Sequence, residues 1–250
     1  KPFLNFLNLK DKIEEKSTKL EEICLVAYGV RVNSKLDKNK PKNHYVFNEY
    51  QPTFKKFIEG KDVERYYYNQ SKWINYKPDE HYNSMFSELF ENEKLCFINV
   101  VSDRVRFTYD NDNTYNSHTV VNCVRIDKLK NVEHTTAKKI VKSVDVEEIS
   151  KYNLKFLLSI LNSNLLNWYF LTFLSEGLHF YPNDAKQLPI KFVENQLPFI
   201  EIVDVLISLN KNLQELSEKF QRTLQRNFEI DTLPKKLQEW YLLSYNEFLK

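Results

Sequence analysis

Glycine is scarce in this chain: only Gly29, Gly60 and Gly177 occur among its 250 residues. Phosphate-binding loops of the Rossmann and P-loop types need several closely spaced glycines, so the sequence excludes both kinds of nucleotide site. Because glycine allows close backbone approach and left-handed conformations, each of the three is expected to mark a position that requires it.

Cysteine is also rare, and its pattern argues against both a disulfide framework and a zinc site. Cys24, Cys96 and Cys123 are odd in number, far apart and flanked by apolar residues. No Cys-x-x-Cys or His-x-x-x-His spacing occurs, and the five histidines are dispersed. We therefore expect buried, reduced thiols in a cytoplasmic protein, and no structural metal.

A signal peptide and long apolar runs are missing as well. The run from Leu165 to Leu174 is too short and too polar at its edges to cross a bilayer. The chain starts at Lys1 rather than at a methionine, so we expect it to be a piece of a longer protein. Its net charge is only +2, which means that any surface for nucleic acid must come from local clusters of cations.

The patterns that are present predict an α+β fold, with a small twisted mixed or antiparallel sheet and a buried helical pair. Short apolar runs predict strands within residues 23–30, 95–101, 105–109 and 119–126. Leucines at helical spacing from residue 154 to 169 predict the helical pair, with a cap-like break at Asn162-Ser163-Asn164. We expect a charged connector over residues 128–144 and, because residues before proline avoid helix, an extended segment over residues 181–190.

The most regular periodicity follows the predicted body. Apolar residues repeat in alternating steps of three and four, at Phe199, Ile202, Leu206, Leu209, Leu213, Leu216 and Phe220. This heptad seam predicts a helix with Leu209 and Leu213 buried against another helix or subunit, and Pro234 should begin a final amphipathic helix. We divide the chain into a lead-in helix or arm (1–20), a body (21–195) and a C-terminal helical arm or hairpin (196–250).

One segment combines cations with aromatic rings. It begins at Gly60-Lys61-Asp62-Val63-Glu64-Arg65-Tyr66 and continues through Lys72 to Trp73-Ile74-Asn75-Tyr76. Interleaved cations and flat rings suit a polyanion whose bases can be stacked upon, which points to nucleic acid. An edge strand with aromatic cross-strand pairs and solvated lysines is the structural alternative.

Catalytic motifs are missing. DNA amino-methyltransferases need an Asn/Asp-Pro-Pro-aromatic loop, and no Pro-Pro pair occurs here. Acid-x-Lys triplets that could hold Mg²⁺ in a nuclease occur at Glu14-Glu15-Lys16, Glu59-Gly60-Lys61 and Asp184-Ala185-Lys186, but no convincing acidic strand precedes any of them. The cysteines lie in apolar strands, where a thiol is inert. The sequence thus favours a binding module over an enzyme.

The order of the motifs resembles a known family. The Ala27-Tyr28-Gly29-Val30 turn, the Gly-Lys-Asp-x-x-Arg-Tyr segment, the Leu161-Asn162-Ser163 helix end and the Leu188-Pro189-Ile190 exit follow one another as in the TaqI-like C-terminal specificity domain. This is the target recognition domain of N6-adenine DNA methyltransferases and of type IIG restriction-modification enzymes, and it is similar to the specificity subunits of type I systems. The resemblance covers most of residues 20–195.

The resemblance implies sequence-specific recognition of double-stranded DNA, with no enzymatic activity in this chain. Catalysis would belong to a methyltransferase domain N-terminal to it, or to a methyltransferase subunit, using S-adenosylmethionine bound there, in the cytoplasm of a prokaryote and associated with the nucleoid. Two alternatives remain open. One is a metal-dependent nuclease, and the other is a protein-interaction module that uses the heptad helix.

Candidate DNA-binding residues follow from charge and chemistry, since phosphates are held by cations and base edges are read by bidentate side chains. The lysines are expected to hold phosphates, and the arginines are expected either to read bases or to form surface ion pairs. The polar loop after residue 110 could face base edges or be a plain hairpin turn. The last aromatic pair, His179 and Tyr181, could wedge at a base or cap the core. The candidates are Lys35, Lys38, Lys40, Lys42, Lys61, Arg65, Lys72, Arg104, Arg106, Asn113, Asn116, Ser117, His118, His179, Tyr181 and Lys186.

Overall fold

The structure is a computed structural model that describes residues 2–100, 104–175, 177, 179–238 and 240–249. With 44% helix, 22% strand and several small sheets, it confirms the predicted α+β class. The strands are β1 (Ser17–Lys19), β2 (Cys24–Tyr28), β3 (Arg31–Ser34), β4 (Val46–Phe47), β5 (Lys55–Ile58), β6 (Val63–Glu64), β7 (Tyr67–Tyr68), β8 (Lys72–Ile74), β9 (His81–Asn83), β10 (Lys94–Ile98), β11 (Phe107–Asp110), β12 (Tyr115–Asn116), β13 (Val120–Arg125) and β14 (Pro189–Lys191).

The α-helices vary from single turns to one very long helix. They are α1 (Pro2–Glu14), α2 (Leu20–Ile23), α3 (Glu88–Glu91), α4 (Thr135–Val141), α5 (Val146–Ser150), α6 (Leu154–Leu161), α7 (Asn164–Tyr169), α8 (Pro182–Lys186), α9 (Leu197–Phe228), α10 (Lys235–Gln238) and α11 (Tyr245–Phe248). The chain divides into two compact units, Lys1–Val203 and Asp204–Lys250.

Two four-stranded sheets form the centre of the first unit. One is antiparallel in the order β11-β10-β13-β2, and these are the four strands that the apolar runs predicted. The other has the order β12-β5-β8-β4 and is mixed, because β12 runs parallel to β5. Side chains of both sheets meet in one core, including Val30, Phe57, Ile74, Tyr115 and Val124.

The buried helical pair is also confirmed. Asn153 caps α6 by accepting a hydrogen bond from the amide of Lys155, and Ser163 caps α7 by accepting one from the amide of Leu166. A π-helical turn, Phe170–Leu174, extends α7. No single described helix is long and apolar enough to span a membrane; α6 with residues 164–174 meets the length and composition test only as a pair bent by 54°.

Two predictions of irregular structure are wrong. The charged connector at 128–144 contains α4, whose only fully buried side chain, among those the structure describes there, is Ala137, so its apolar face was too narrow to recognise. The segment at 181–190 contains α8, because Pro182 occupies the first turn of a helix, where proline is favoured. Tyr181 before it is extended, as expected.

The ends of the chain differ from the prediction in detail. Residues 1–20 begin with the expected helix, α1, but then contribute β1, which pairs with β14 in the first unit. In the second unit, the final helix expected after Pro234 is divided into α10, a 3-10 turn at Trp240–Leu242 and α11.

The heptad seam is only partly as predicted. A single helix, α9, covers all of its residues, but Leu209 and Leu213 are 56% and 40% exposed, so the prediction that they are buried is wrong. Val203 and Ser217 are the buried residues of this helix instead. The face that is buried therefore lies beside the apolar seam.

All three cysteines are buried and unpaired, as predicted. Burial raises the pKa of the Cys24 and Cys96 thiols to about 12, and that of Cys123 well above its ordinary value. Because only a thiolate is an effective nucleophile, these groups are inert at neutral pH.

Candidate nucleic-acid interface

The Gly-Lys-Asp-x-x-Arg-Tyr segment forms a joint between elements of the first unit. Gly60 opens a 3-10 turn and its amide donates to Thr119 Oγ1 at 2.9 Å, so that a side chain at this position would press against Thr119. Asp62 accepts from the amide of Glu59 at 2.8 Å and closes the same turn. Lys61, between them, is exposed. The motif therefore presents this lysine on a fixed turn.

The end of the same segment, Arg65 and Tyr66, makes structural contacts within the first unit. Tyr66 has a left-handed backbone, with φ of +67°, is buried, and donates its amide to the carbonyl of Phe107 at 3.0 Å. Arg65 lies over the Tyr66 ring and donates from Nη2 to the carbonyl of Asn162 at 2.7 Å. Burial lowers the pKa of the Arg65 guanidinium from its ordinary value, and nearby Arg104 adds to the effect.

The other two arginines that were candidates for base reading lie beside Arg65. Arg104 Nη2 is 3.4 Å from the Asn162 carbonyl oxygen and donates to Asn164 Oδ1 at 3.0 Å. Arg106 forms an ion pair with Glu64 at 3.0 Å. The structure thus brings the three arginines together, but in contacts that favour their structural alternative, and base reading by them stays a prediction.

Asn162 explains the Leu-Asn-Ser motif. Its side-chain amide exchanges two hydrogen bonds with the backbone of Phe107, accepting at 3.0 Å and donating at 2.9 Å. Asn162 is also the C-cap of α6, and its backbone carbonyl accepts a hydrogen bond from Arg65 and a longer one from Arg104. The asparagine is 1% exposed, so it acts as a buried connector between α6 and β11.

Two candidate lysines share one carboxylate. Lys42 and Lys72 both form an ion pair and hydrogen bond with Glu59. Burial by itself would raise the pKa of Glu59, but the two ammonium groups outweigh it and hold the pKa below its ordinary value. Glu59 thus partly neutralises both lysines, which weakens Lys42 and Lys72 as phosphate ligands.

The basic loop after β3 is a surface loop, as predicted, and Ser34 organises it. Ser34 Oγ accepts from the amides of Leu36 and Asp37 at 3.1 Å. Lys40 lies 3.8 Å from Glu80, whereas Lys35 and Lys38 are exposed and form no ion pair with any described residue. These last two lysines are the most available cations of the loop.

Asn116 and Ser117 must be removed from the predicted base-reading loop. Asn116 belongs to β12, is fully buried, and exchanges two side-chain hydrogen bonds with Asn122, at 2.6 and 3.0 Å. Ser117 is also buried and bonds Thr119. Gly29 packs on Asn116 so closely that a Cβ there would lie 2.1 Å from Asn116 Oδ1. Asn113 is exposed, with φ of +56°, in the turn predicted after β11.

The remaining candidates converge at one end of the antiparallel sheet. We call this surface the sheet-end face and define it by Tyr28, Lys61, Val100, His118, His179 and Tyr181. A cavity of about 450 Å³ is lined by Lys61, Asn99 and Val100, and also by Glu59, whose carboxylate is paired with Lys42 and Lys72. Val100 forms a bridge with His179, and the His179 and Tyr181 rings stack at 5.2 Å.

Contacts join the outer members of the sheet-end face to this centre. Burial raises the pKa of Tyr28, and the nearby Tyr181 hydroxyl adds to the increase, while a hydrogen bond with the Asn99 side chain opposes it. Burial lowers the pKa of His118, and the positive charges of Arg31 and Lys42 lower it further, so His118 is neutral near pH 7. Lys61 is linked to the rings through Val100, which lines the same cavity and forms the backbone bridge with His179.

Arg31 and Tyr82 belong near this face, and sequence reasoning missed them. The guanidinium carbon of Arg31 lies 4.5 Å from the centre of the Tyr82 ring, and Tyr82 is 57% exposed. The pairing of β3 with β9 brings them together, across 51 positions of sequence. No local motif signals such a pair.

Lys186 lies apart from the other candidates. With Lys19 and Lys139 it lines a cavity of about 610 Å³ that reaches the start of β2, whereas Tyr28 ends that strand at the sheet-end face. Its Nζ is 3.5 Å from Asn183 Oδ1. Among the residues that the structure describes, no group of three or more His, Cys, Asp or Glu side chains is placed to hold a metal.

Comparison with known proteins identifies the family. Residues 55–190, more than half of the chain, match the TaqI-like C-terminal specificity domain, and this chain belongs to that family. Residues 193–250 match a second family, a domain of unknown function, DUF8810. No curated protein matches the chain.

Two solved structures match the chain with low sequence identity and low TM-scores. The type I restriction-modification S subunit from M. genitalium is 14% identical with a TM-score of 0.43, and 90% of this chain is covered. The HsdS subunit from Thermoanaerobacter tengcongensis is 14% identical with a TM-score of 0.42, and 94% of this chain is covered. The chain spans 48% of the length of each, about half.

Proposed function

We propose that this chain is the DNA target recognition module of a restriction-modification system and binds a specific duplex sequence. Membership of the specificity-domain family supports this function, and specificity domains are the non-catalytic parts of such systems. The observation that points to a particular surface is the sheet-end face, where exposed Lys61 shares a cavity with Val100, and Val100 in turn bridges His179 beside Tyr181. Cations hold phosphates, and rings and polar groups meet bases.

The chemistry of the system would be supplied from outside this chain. We propose an adenine methyltransferase domain on the same polypeptide, or a methyltransferase subunit, that binds S-adenosylmethionine and acts on a flipped adenine in the prokaryotic cytoplasm. The present chain would choose the site and contribute affinity. Without the methyltransferase, the chain should bind duplex DNA weakly.

The nuclease alternative finds little support in the acid-x-Lys triplets. Glu59 is occupied by Lys42 and Lys72, and Asp184 accepts a hydrogen bond from the amide of Tyr181 at 2.8 Å. A protein-interaction role is favoured by a specific observation, the exposed aliphatic residues of α9. This role is compatible with DNA recognition, because none of the exposed aliphatic residues of α9 belongs to the sheet-end face.

Salt-dependent binding tests the proposal. Affinity of the chain for short duplexes, followed by fluorescence anisotropy, should fall steeply with salt, each phosphate contact adding about 0.9 to the log-log slope. Replacing Lys35, Lys38, Lys40 and Lys42 by Ala should weaken binding to all sequences alike and flatten this slope, since phosphates carry no sequence information.

A matched variant controls for net charge. It changes four lysines of the second unit to Ala: Lys211, Lys219, Lys235 and Lys236. The control should bind like the parent. Binding that is absent at low salt, or that is weakened equally by the basic-loop variant and by the control variant, would contradict DNA binding by the basic loop and the sheet-end face.

The arginines allow a separate test in the full-length parent. A survey of methylated sites for Arg65→Ala, Arg104→Ala and Arg106→Ala distinguishes base reading from a structural role. A base reader, on losing a bidentate contact worth about 1–3 kcal/mol, relaxes the motif at one position. From their contacts with Asn162 we expect Arg65→Ala and Arg104→Ala to lower methylation at all sites uniformly instead.

A further inference from the structure

Two exposed aromatic rings stand together on the sheet-end face. The centroids of His179 and Tyr181 are 5.2 Å apart and their planes are tilted by 26°, which is a stacked arrangement. His179 is exposed and Tyr181 is 47% exposed. A stacked pair of exposed rings offers a flat face on which a planar ligand can stack.

The rings are held rigidly from below. Phe180, between them in sequence, is fully buried and contacts the rings of Phe97, Phe107 and Phe170. The amide of Phe180 donates to the carbonyl of Asn99 at 3.1 Å, and His179 forms a bridge with Val100. The backbone is therefore held at His179 and at Phe180, and a ligand that stacks here loses little affinity to ordering these two residues.

The chemistry next to the rings is that of a base rather than of a phosphate. A cavity of about 240 Å³ is lined by Gly177, His179, Tyr181 and Asp184. Asp184 brings a carboxylate, whose Oδ2 already accepts from the amide of Tyr181. A carboxylate repels phosphate but accepts hydrogen bonds from the amino group of a base, as Asp and Glu do with cytosine.

We propose that this ring pair, with Asp184, is a stacking site for a nucleobase that has left the helical stack and carries an exocyclic amine. The inference rests on the proposed function and deepens it, because it assigns one part of the sheet-end face to unstacked DNA. Tyr181 supplies the outer ring and His179 supports it. Lys61, across the neighbouring cavity, holds the adjoining backbone.

Duplexes with one unpaired base provide the test. The full chain is titrated with a perfect duplex, with the same duplex carrying a bulged adenine, and with one carrying a bulged thymine, which has no exocyclic amine. Base stacking on an aromatic side chain should make the bulged-adenine duplex bind about ten-fold more tightly than the perfect one. The thymine bulge should bind between the two, and Asp184→Ala, which removes the acceptor oxygens, should abolish the difference between the bulges.

Variants identify the ring pair as the cause. Tyr181→Ala should remove the preference for the bulged duplex, Tyr181→Phe should keep it, and Tyr245→Ala, at a 76% exposed tyrosine of the second unit, should leave it unchanged. Circular dichroism checks that each variant folds. Quenching of 2-aminopurine at the bulge by the parent protein gives a readout that needs no variant.

The outcomes separate this inference from the proposed function. Equal binding of perfect and bulged duplexes, or unquenched 2-aminopurine, overturns the stacking site and leaves duplex recognition standing. A bulge preference that survives in folded Tyr181→Ala also overturns it. Failure to bind any duplex at low salt overturns the proposed function itself.

Discussion

The two units of the chain use their apolar residues in opposite ways. In the first unit, apolar side chains of the sheets and of α6 are buried and polar side chains such as Asn116, Asn122 and Asn162 are paired inside. In the second unit, Leu233 is the one described apolar residue that is buried. The first unit satisfies its own core, whereas the second leaves much of its apolar surface in water.

Helix α9 shows the contrast within a single element. Six of its aliphatic residues are each at least 40% exposed: Leu197, Ile202, Val205, Leu209, Leu213 and Leu216. Beyond them, Phe220 packs against Trp240 at 4.4 Å and against Phe248 at 5.9 Å. Periodicity thus predicted the helix but not its buried face, because an apolar seam marks a surface that can be covered, not one that is.

The largest effect is expected for paired leucines of the first unit. Leu157 and Leu161 are fully buried on α6, so the double change to Ala should lower the free energy of unfolding by about 5 kcal/mol or more through lost transfer energy and cavities. Urea denaturation measures it. A loss below about 2 kcal/mol would show that the first unit is as loosely packed there as α9 is.

The next largest effect is expected for Asn162. Asn162→Ala leaves the Phe107 amide unpaired, while the Phe107 carbonyl keeps its bond from the Tyr66 amide. An unpaired buried group costs about 1–3 kcal/mol, so we expect a loss of about 2–3 kcal/mol with the second bond included. The matched control is Asn210→Ala, at a half-buried asparagine of α9 whose side-chain amide donates to the Leu206 carbonyl. Similar losses in the two variants would contradict the buried-connector role.

A smaller effect depends on pH. His81 is 1% exposed, its Nδ1 is 3.0 Å from the Val32 carbonyl, and its Nε2 accepts from the amide of Lys77. Burial lowers its pKa, against weaker opposing effects of the Val32 bond and the Glu80 charge. The neutral form is therefore favoured in the fold.

The sign of the pH dependence follows. His81 contributes to the free energy of unfolding above the ordinary histidine pKa of about 6.5, and this contribution is lost as the pH falls through the lower pKa of the folded state. The hydrogen bond from the Lys77 amide accounts for about 1 kcal/mol of it. His81→Gln should flatten the pH dependence of the free energy of unfolding between pH 7 and the acid side. A pH profile that is unchanged in this variant would refute a neutral, buried His81.

The smallest effect is expected for the seam. Leu209→Ala with Leu213→Ala should cost less than about 1 kcal/mol in the isolated chain, because little area is removed from burial. The same two-residue change is the counterpart of the α6 variant, so the ratio of the two losses measures the contrast between the units. A cost as large as in α6 would mean that the seam is covered in solution.

Much of the fold was predictable, and the failures have physical causes. Strands such as β10 and β13 are buried along almost their whole length, so they appear as apolar runs. The sequence could not show that Asn116 and Asn122 hydrogen-bond to each other inside the core, because the same residue, asparagine, serves both for a buried amide pair and for reading a base edge. The Arg31–Tyr82 pair depends on strand register, which no local pattern records.

The side chain of Asn162 also has a consequence for how molecules of this protein meet one another. Strand β11 lies at the margin of its sheet, and the amide and carbonyl of Phe107 are groups that an added strand would bond. The Asn162 amide imitates such a strand for one residue, and the Tyr66 amide takes the same carbonyl. The open margin is thereby closed against edge-to-edge aggregation by one amide in place of a strand.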